Sequence, residues 1–351
     1  MREAIRPHSE AIRAFILKHV RNEGLAGMVA EKFGITRQAA NQHLRKLVSE
    51  GAIYAEGRTR NRIYKLAATN SSRFKYPIVP GLAEDEVWRA DIFPLLSSLP
   101  SNVITLWQWA FTEMFNNAID HSAGTRIMVS VKKTALYTEI SVEDDGVGIF
   151  KKIQKELGLA DERQAIFELS KGKLTTDARN HSGQGIFFTS RMVNAFNILS
   201  GGVYFSHEIA SEEDWMLERS GTSQGTAVLM KVDNHTARTT AKTLAKFSVD
   251  GSYGFNKTVV PVGLARYGSD QLVSRSQAKR VLARVDQFAH VLFDFSGIDE
   301  IGQAFADQIF RVFANEHPEM KLLPIHANKA IMGMIQAAIK EGRPGYKGSD
   351  R

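Results

Sequence analysis

Apolar residues recur at helical spacing through the first fifty residues of the chain. Over residues 9–21 they fall on one face, and residues 25–33 form a second, shorter period that ends at Gly34, a residue suited to a left-handed helix cap. Thr36 can cap a third helix. The buried stripe of that helix contains Ala40, Leu44, Leu47 and Val48. The pattern predicts three helices in close succession.

Two extended stretches follow, at residues 52–55 and 63–66, and predict a β-hairpin. The tip of this hairpin carries three arginines that can reach DNA phosphates: Arg58, Arg60 and Arg62. The third helix carries side chains that can hydrogen-bond base edges and phosphates in a major groove: Arg37, Gln38, Asn41, Gln42 and Arg45. This order of elements resembles the winged helix-turn-helix domain of bacterial transcription regulators, which implies double-stranded DNA as a partner. The alternatives are a solvated basic face and a winged helix that contacts protein.

Residues 76–100 contain four prolines. Prolines at this density break regular structure, so the segment is predicted to be a linker with one short helix over residues 83–92.

A helix predicted over residues 103–121 carries polar side chains at a spacing of four. Glu113 and Asn117 lie one turn apart on one face, and His121 continues that face. Asn117 can ligate a hard cation such as Mg²⁺, and Glu113 can position or deprotonate a water molecule. The alternative is an exposed polar helix face without chemistry.

Two strands of alternating polarity are predicted next, at residues 126–132 and 137–142, and the second runs into Asp144-Asp145-Gly146-Val147-Gly148. Glycines at a strand end let a flat ring approach the main chain, and Asp144 can accept a hydrogen bond from an exocyclic amine. The alternative is an ordinary acidic turn. Further along, Thr226 opens a strand predicted over residues 227–232.

Residues 150–182 are polar and basic, and they predict a mobile lid in which Lys171 and Lys173 neutralise phosphate charge. Gly183 and Gly185 then precede a helix predicted over residues 186–196. Free backbone amides at the N-terminus of that helix would face an anion.

Together these segments resemble the ATP-binding domains of the gyrase, heat-shock chaperone, histidine kinase and MutL (GHKL) superfamily. The matching segments are the N box (Glu113, Asn117, Ala118 and His121), the adenine box (Asp144, Gly146 and Gly148) and the phosphate box (Gly183 and Gly185). The resemblance implies a Bergerat fold with helices on a mixed sheet, ATP and Mg²⁺ as ligands, and Thr226 near the nucleotide. Within the superfamily, the segment is similar to the compact ATP-binding domains of anti-sigma-factor serine kinases. No phosphoacceptor histidine helix precedes the N box, which disfavours a sensor histidine kinase.

Residues 236–341 alternate between strands and helices. Strands are predicted over residues 258–263, 290–295 and 321–325, and helices over 274–289 and 302–315. The alternation resembles a STAS-like domain, the fold of anti-sigma-factor antagonists. The specific form is similar to the STAS-like domain that follows ATP-binding domains in prokaryotic proteins. The resemblance implies a protein partner. Such antagonists carry a phosphorylated serine after a strand. Residues 301–305 have no hydroxyl there and Ser296 lies earlier, which disfavours phosphorylation of this domain by the ATP-binding domain.

Composition predicts where the protein is located in the cell, and the distribution of charge supports DNA as a partner. The chain is 43% hydrophobic and 24% charged, has no cysteine, and shows neither an apolar run of membrane-spanning length nor a signal-peptide core, so we expect a cytoplasmic globular protein that binds no membrane. Residues 1–75 hold 15 Lys and Arg against 6 Asp and Glu, whereas the whole chain carries a net charge of +7. The excess positive charge therefore coincides with the predicted DNA-binding domain.

The sequence thus predicts an α+β multidomain protein. Its predicted parts are a winged helix (1–75), a linker (76–100), a Bergerat-type ATP-binding α/β sandwich (101–235), a small STAS-like α/β domain (236–341) and a flexible tail (342–351). We expect a transcription regulator in which Mg-ATP changes the domain arrangement and DNA binding. The alternatives are an anti-sigma-type serine/threonine kinase acting on a separate protein, a slow ATPase with Glu113 as base, and a scaffold with structural ATP. A homodimer is compatible with paired DNA half-sites, although the sequence has no heptad repeat.

Overall fold

The computed structural model describes residues 5–57, 62–174, 183–210, 213–249, 254–266 and 270–341. Two hydrophobic cores organise these residues. One belongs to the N-terminal unit, and the other runs without interruption from the central part of the chain into the C-terminal part. No helix within these ranges is both long enough and apolar enough to cross a membrane.

The N-terminal unit contains three helices followed by a two-stranded antiparallel sheet. Its elements are α1 (Ile5–Lys18), α2 (Leu25–Phe33), α3 (Arg37–Ser49), β1 (Ile53–Glu56) and β2 (Ile63–Leu66). Thr36 caps α3 as predicted, because its hydroxyl accepts a hydrogen bond from the backbone amide of Ala39 at 3.1 Å. The number and order of elements agree with the prediction.

The next strand, β3 (Ala68–Pro77), pairs with the central sheet and not with the hairpin before it. The domain boundary predicted at residue 75 therefore falls inside a strand of the following domain. Residues 84–96 are helical throughout: α4 (Glu84–Val87) and α5 (Phe93–Leu96) are joined by a π-helical turn. Trp88 and Ile92 are buried in the main core, so much of the predicted linker is part of the domain.

The central domain is a two-layer sandwich with a five-stranded sheet in the order β3-β4-β5-β7-β6. The strands are β4 (Arg126–Thr134), β5 (Tyr137–Asp144), β6 (Ala195–Glu208) and β7 (Glu213–Asp233). Four helices accompany them: α6 (Ser101–His121), α7 (Ile149–Leu157), α8 (Glu162–Lys171) and α9 (Gly185–Met192). All paired strands are antiparallel, whereas the resemblance implied a mixed sheet.

Two local predictions in this domain are wrong. The helix predicted over residues 186–196 ends at Met192, and β6 begins at Ala195, where Asn194 and Asp233 exchange hydrogen bonds that fix the strand start. The segment predicted as a mobile lid over residues 150–182 is formed, as far as Lys171, by α7 and α8, and Phe150, Ile153 and Ile166 anchor these helices in the main core. Residues 175–182 lie outside the described residues.

The C-terminal domain has a parallel three-stranded sheet in the order β10-β9-β8. Before it, α10 (Thr240–Ala245) packs against α6 and α9 of the central domain. The elements of the C-terminal domain are β8 (Lys257–Pro261), α11 (Arg275–Leu282), β9 (His290–Asp294), α12 (Gln303–Asp307), α13 (Ala314–Glu316), β10 (Lys321–Ile325) and α14 (Lys329–Glu341). The three predicted strands are present, and α14 was not predicted. The predicted tail at 342–351 lies outside the described residues.

Candidate functional site

A cavity of about 300 Å³ lies between α6, the end of β5, α7 and the start of α9. The helical spacing of α6 brings Glu113, Asn117 and His121 to its wall, as predicted from their spacing. Asp144, Gly183, Gly185 and Thr226 also line the cavity. Residues that are far apart in the chain, from all three predicted boxes, thus meet around one space.

Asn117 is the residue in this wall whose polar atoms most need a ligand. Its side-chain nitrogen is buried and has no hydrogen-bond partner among the described residues. A buried amide nitrogen without a partner costs free energy, which a bound acceptor such as a phosphate oxygen would recover. The amide oxygen of the same side chain is a suitable ligand for Mg²⁺.

Asp144 is the acidic residue of the adenine box that lines the cavity. Its Oδ1 accepts hydrogen bonds from the backbone amides of Gly146 at 2.9 Å and Thr226 at 3.3 Å. Burial raises the pKa of this carboxyl above its ordinary value, and the two amides oppose that rise. The Thr226 hydroxyl in turn accepts a hydrogen bond from the amide of Ile149 at 3.0 Å, which ties β7 to the start of α7. The carboxylate is therefore held by two backbone amides, one from the turn after β5 and one from β7.

Gly146 and Gly148 shape the backbone around this carboxylate without lining the cavity themselves. A Cβ atom at Gly146 would lie 2.0 Å from the carbonyl oxygen of Ser122, so only glycine fits against the end of α6. Gly148 has a φ of 87° and immediately precedes α7. The two glycines thus let the strand end turn tightly past α6 into α7.

The neighbouring Asp145 has a different role from Asp144. Its carboxylate accepts hydrogen bonds from the amide and hydroxyl of Thr125, at 2.7 and 2.8 Å, and from the amide of Arg126 at 3.0 Å. These hydrogen bonds, those of Thr125 first, lower the pKa of Asp145 to about 2. It fixes the start of β4 and does not line the cavity.

The phosphate box lies directly against the N box. A Cβ atom at Gly185 would approach Oε2 of Glu113 to 2.1 Å, so this glycine allows the carboxylate to sit beside the first residue of α9. Because α9 begins at Gly185, its unpaired backbone amides lie at the cavity. An acidic side chain and a helix N-terminus therefore flank the same end of the cavity.

Lys152 lines the cavity but was not singled out from the sequence. Its ammonium donates a hydrogen bond to the carbonyl oxygen of His121 at 3.1 Å. Ile149, Lys152 and Ile153 share one face of α7, and all three line the cavity. The helical spacing of these residues directly after the glycines could have identified Lys152 as a cavity residue from the sequence. Lys152 is a cation close to the N box.

Lys171 and Lys173 are predicted to contact phosphate, and the structure places them elsewhere. The Lys171 ammonium is buried against the C-terminal domain, where it contacts the carbonyl oxygens of Arg280 and Ala283. The Lys173 ammonium donates to the carbonyl oxygen of Gln287 at 2.6 Å. Neither residue lines the cavity, so we leave both out of the proposed nucleotide site.

In the N-terminal unit, α3 presents most of the predicted DNA-contacting side chains to solvent. Arg37, Gln38, Gln42 and Arg45 are exposed, and Asn41 is half-buried. Arg62 is exposed just before β2, whereas Arg58 and Arg60 lie outside the described residues. Arg73 and Lys75 belong to β3, but residues 1–66 still hold 13 Lys and Arg against 6 Asp and Glu.

In the C-terminal domain, Ser296 follows β9 and is held by two neighbours. Its hydroxyl donates to Oδ1 of Asp294 at 2.7 Å and lies 3.1 Å from Nδ1 of His326. Within the described ranges of the chain, no group of three His, Asp or Glu side chains could hold a metal ion. A cation in the cavity would therefore need ligands from the nucleotide and water in addition to Asn117.

Comparison with known families finds two matches in the chain. Residues 102–236 match the histidine kinase-, DNA gyrase B- and HSP90-like ATPase family, and residues 277–332 match a STAS-like domain of unknown function. No curated protein sequence matches the chain. The first match spans the N box, the adenine box, the phosphate box and Thr226. The chain therefore contains a GHKL-type ATPase domain at residues 102–236, followed by a STAS-like domain at residues 277–332.

Proposed function

We propose that the chain is a DNA-binding regulator whose GHKL domain binds Mg-ATP in the cavity and thereby changes the domain arrangement and DNA affinity. The observation that carries the nucleotide part is the meeting of all three boxes around one cavity of about 300 Å³. A cavity of that size is in the range of small-molecule sites.

Each end of the cavity offers the chemistry that one part of ATP requires. Asp144 can accept a hydrogen bond from the exocyclic amine of adenine, since its carboxylate is already oriented by backbone amides. The backbone amides at the start of α9, with Gly183 before them, can bind phosphate oxygens. The Lys152 ammonium adds a positive charge to the cavity wall.

The residue that fits Mg²⁺ is Asn117. Its oxygen can ligate the ion while its buried nitrogen, which has no partner among the described residues, donates to a phosphate oxygen. When bound, Mg²⁺ would neutralise phosphate charge.

ATP hydrolysis is a second candidate activity, favoured by the position of Glu113. Its carboxylate lies against Gly185 at the phosphate end and can orient or deprotonate a water molecule. Replacing Glu113 by Gln should leave ATP binding intact and lower turnover by about a hundredfold. Unchanged turnover would remove Glu113 from this role. Transfer of the γ-phosphate to a separate protein would instead support a kinase.

DNA binding by the N-terminal unit is supported by its excess of positive charge and by the exposed polar side chains of α3. The proposal as a whole is tested by the affinity of the full chain for double-stranded DNA, measured with and without Mg-ATP. We expect the affinity to differ by about fivefold or more. Identical binding curves would contradict the coupling but would leave either site intact.

A further inference from the structure

Helix α8 stands between the nucleotide cavity and the C-terminal domain and contacts both. Leu169 lines the cavity, and so does Leu174, which follows the helix. Lys171 lies between these two leucines in the chain but reaches the C-terminal domain. One short segment thus forms cavity wall with one set of side chains and an interdomain contact with another.

The interdomain contact is a buried charge cluster. Lys171 is 1% exposed, and its ammonium donates to Oε1 of Glu168 at 2.7 Å and to the carbonyl oxygens of Arg280 at 3.2 Å and Ala283 at 2.8 Å. These three acceptors use all three donors of the ammonium. Arg284 donates to the other oxygen of Glu168 at 3.4 Å. Breaking one partner of such a buried cluster leaves an uncompensated charge, so the cluster holds the domains in one arrangement.

The backbone on each side of this contact is held in an unfavourable conformation. Lys173 and Arg284 have φ values of 52° and 61°, in the left-handed region that favours glycine. Arg284 donates to the carbonyl oxygen of Lys173 at 2.5 Å, which joins the two strained residues. The Thr258 hydroxyl, fully buried in β8, donates to the carbonyl oxygen of Lys171 at 2.6 Å. Such strain persists only where surrounding contacts impose it.

An aromatic contact follows the same route. Phe187 lines the cavity, and its ring lies 4.6 Å from that of Phe255, which lies 5.2 Å from that of Phe288 in the C-terminal domain. A Cβ atom at Gly172 would lie within 3.0 Å of both the Phe255 and Phe187 rings, so the residue after α8 packs tightly between them. The cavity wall cannot move here without disturbing the C-terminal domain.

We propose that Lys171 and Glu168 are positioning residues, which couple docking of the C-terminal domain to the cavity wall formed by Leu169 and Leu174. Nucleotide affinity then depends on the docked C-terminal domain, and a bound nucleotide stabilises that docking by the same factor. This inference rests on the proposed binding of ATP in the cavity.

The test uses the full chain and measures both directions of the coupling. Affinity for a non-hydrolysable ATP analogue with Mg²⁺ is measured by calorimetry, and amide hydrogen exchange is followed over residues 275–288, with and without that analogue. In the wild type we expect the analogue to slow exchange there by about fivefold or more. Lys171→Met should weaken binding by a similar factor and abolish the slowing. If Lys171→Met weakened binding only by disturbing the cavity, a saturating concentration of the analogue would still slow exchange over residues 275–288.

Two further variants complete the design. Thr258→Val removes one hydrogen bond and no charge, so it should lower the affinity for the analogue and the slowing of exchange by less than Lys171→Met does. If Lys171→Met does not fold, Thr258→Val provides the test. Lys279→Met makes the same side-chain change at an exposed position of α11 and should match the wild type. Wild-type affinity and wild-type slowing in both Lys171→Met and Thr258→Val would overturn the coupling while ATP binding stands. Absence of binding by the wild type would overturn both proposals.

Discussion

Two adjacent aspartates show how local contacts separate binding from structure. Asp144 faces the cavity, whereas Asp145 fixes the start of β4. We expect Asp144→Asn to weaken ATP binding about tenfold, because the exocyclic amine loses a charged acceptor. Asp145→Asn is the matched control, and it should lower the melting temperature while leaving ATP affinity within about twofold. Calorimetric titration of both variants decides the assignment, and equal affinities would contradict it.

The buried lysine of α8 gives a prediction about pH. Burial lowers the pKa of Lys171 from 10.5 to about 8, while Glu168 opposes the shift and Arg284 adds to it. Between these two pH values the unfolded chain binds more protons than the native state at this residue, so its contribution makes the free energy of unfolding rise with pH. From pH 8 to 10.5 the wild type should gain up to about 3 kcal/mol relative to Lys171→Met. Urea unfolding of both proteins tests this, and parallel pH profiles would refute it.

At the scale of elements, secondary structure can be predicted from the sequence where the local signals agree with the packing. The Thr36 cap, the alternating strands β4 and β5, and the four-residue spacing on α6 all encode local geometry, and all are present. The meeting of Asp144 and Asn117 in one cavity required the family resemblance, because spacing within one element does not fix distances between elements.

The errors arise where tertiary contacts override local composition. Residues 76–100 contain several prolines and are predicted to be a linker with one short helix. The helix is present, but Trp88 and Ile92 bury apolar surface against α6, so the segment belongs to the domain. Lys171 and Lys173 are basic residues near a glycine box, which alone suggests phosphate contact. Their real partners are carbonyl oxygens more than 100 residues away, which no local pattern reveals.

The turn between β5 and α7 depends on one close approach. Gly146→Ala would place a Cβ atom 2.0 Å from the carbonyl oxygen of Ser122, so backbone must shift. We expect a loss of about 1–3 kcal/mol in the free energy of unfolding, measured with urea, together with weaker ATP binding. Gly333→Ala in α14 meets no atom within 4 Å and should be neutral or slightly stabilising. Equal stability of both variants would contradict the proposed role of Gly146.

At the scale of the whole molecule, charge separates the N-terminal unit from the rest of the chain. The double variant Arg37→Ala/Arg45→Ala should weaken DNA binding and reduce the slope of log affinity against log salt by about 2, with ATP affinity unchanged. Arg73→Ala/Lys75→Ala removes the same charge from exposed positions of β3 and should leave the slope unaltered. Equal losses in both double variants would indicate a general charge effect without a specific DNA-binding face.

ATP binding in the GHKL domain is the central claim, and one titration tests it most directly. Calorimetry of the full chain with ATP and Mg²⁺ should give saturable binding at one site per chain for the wild type. The Asn117→Ala variant should bind Mg-ATP at least about tenfold more weakly, because it removes both the Mg²⁺ ligand and the buried donor. No saturable binding by the wild type, or equal affinity in the two proteins, would contradict the account.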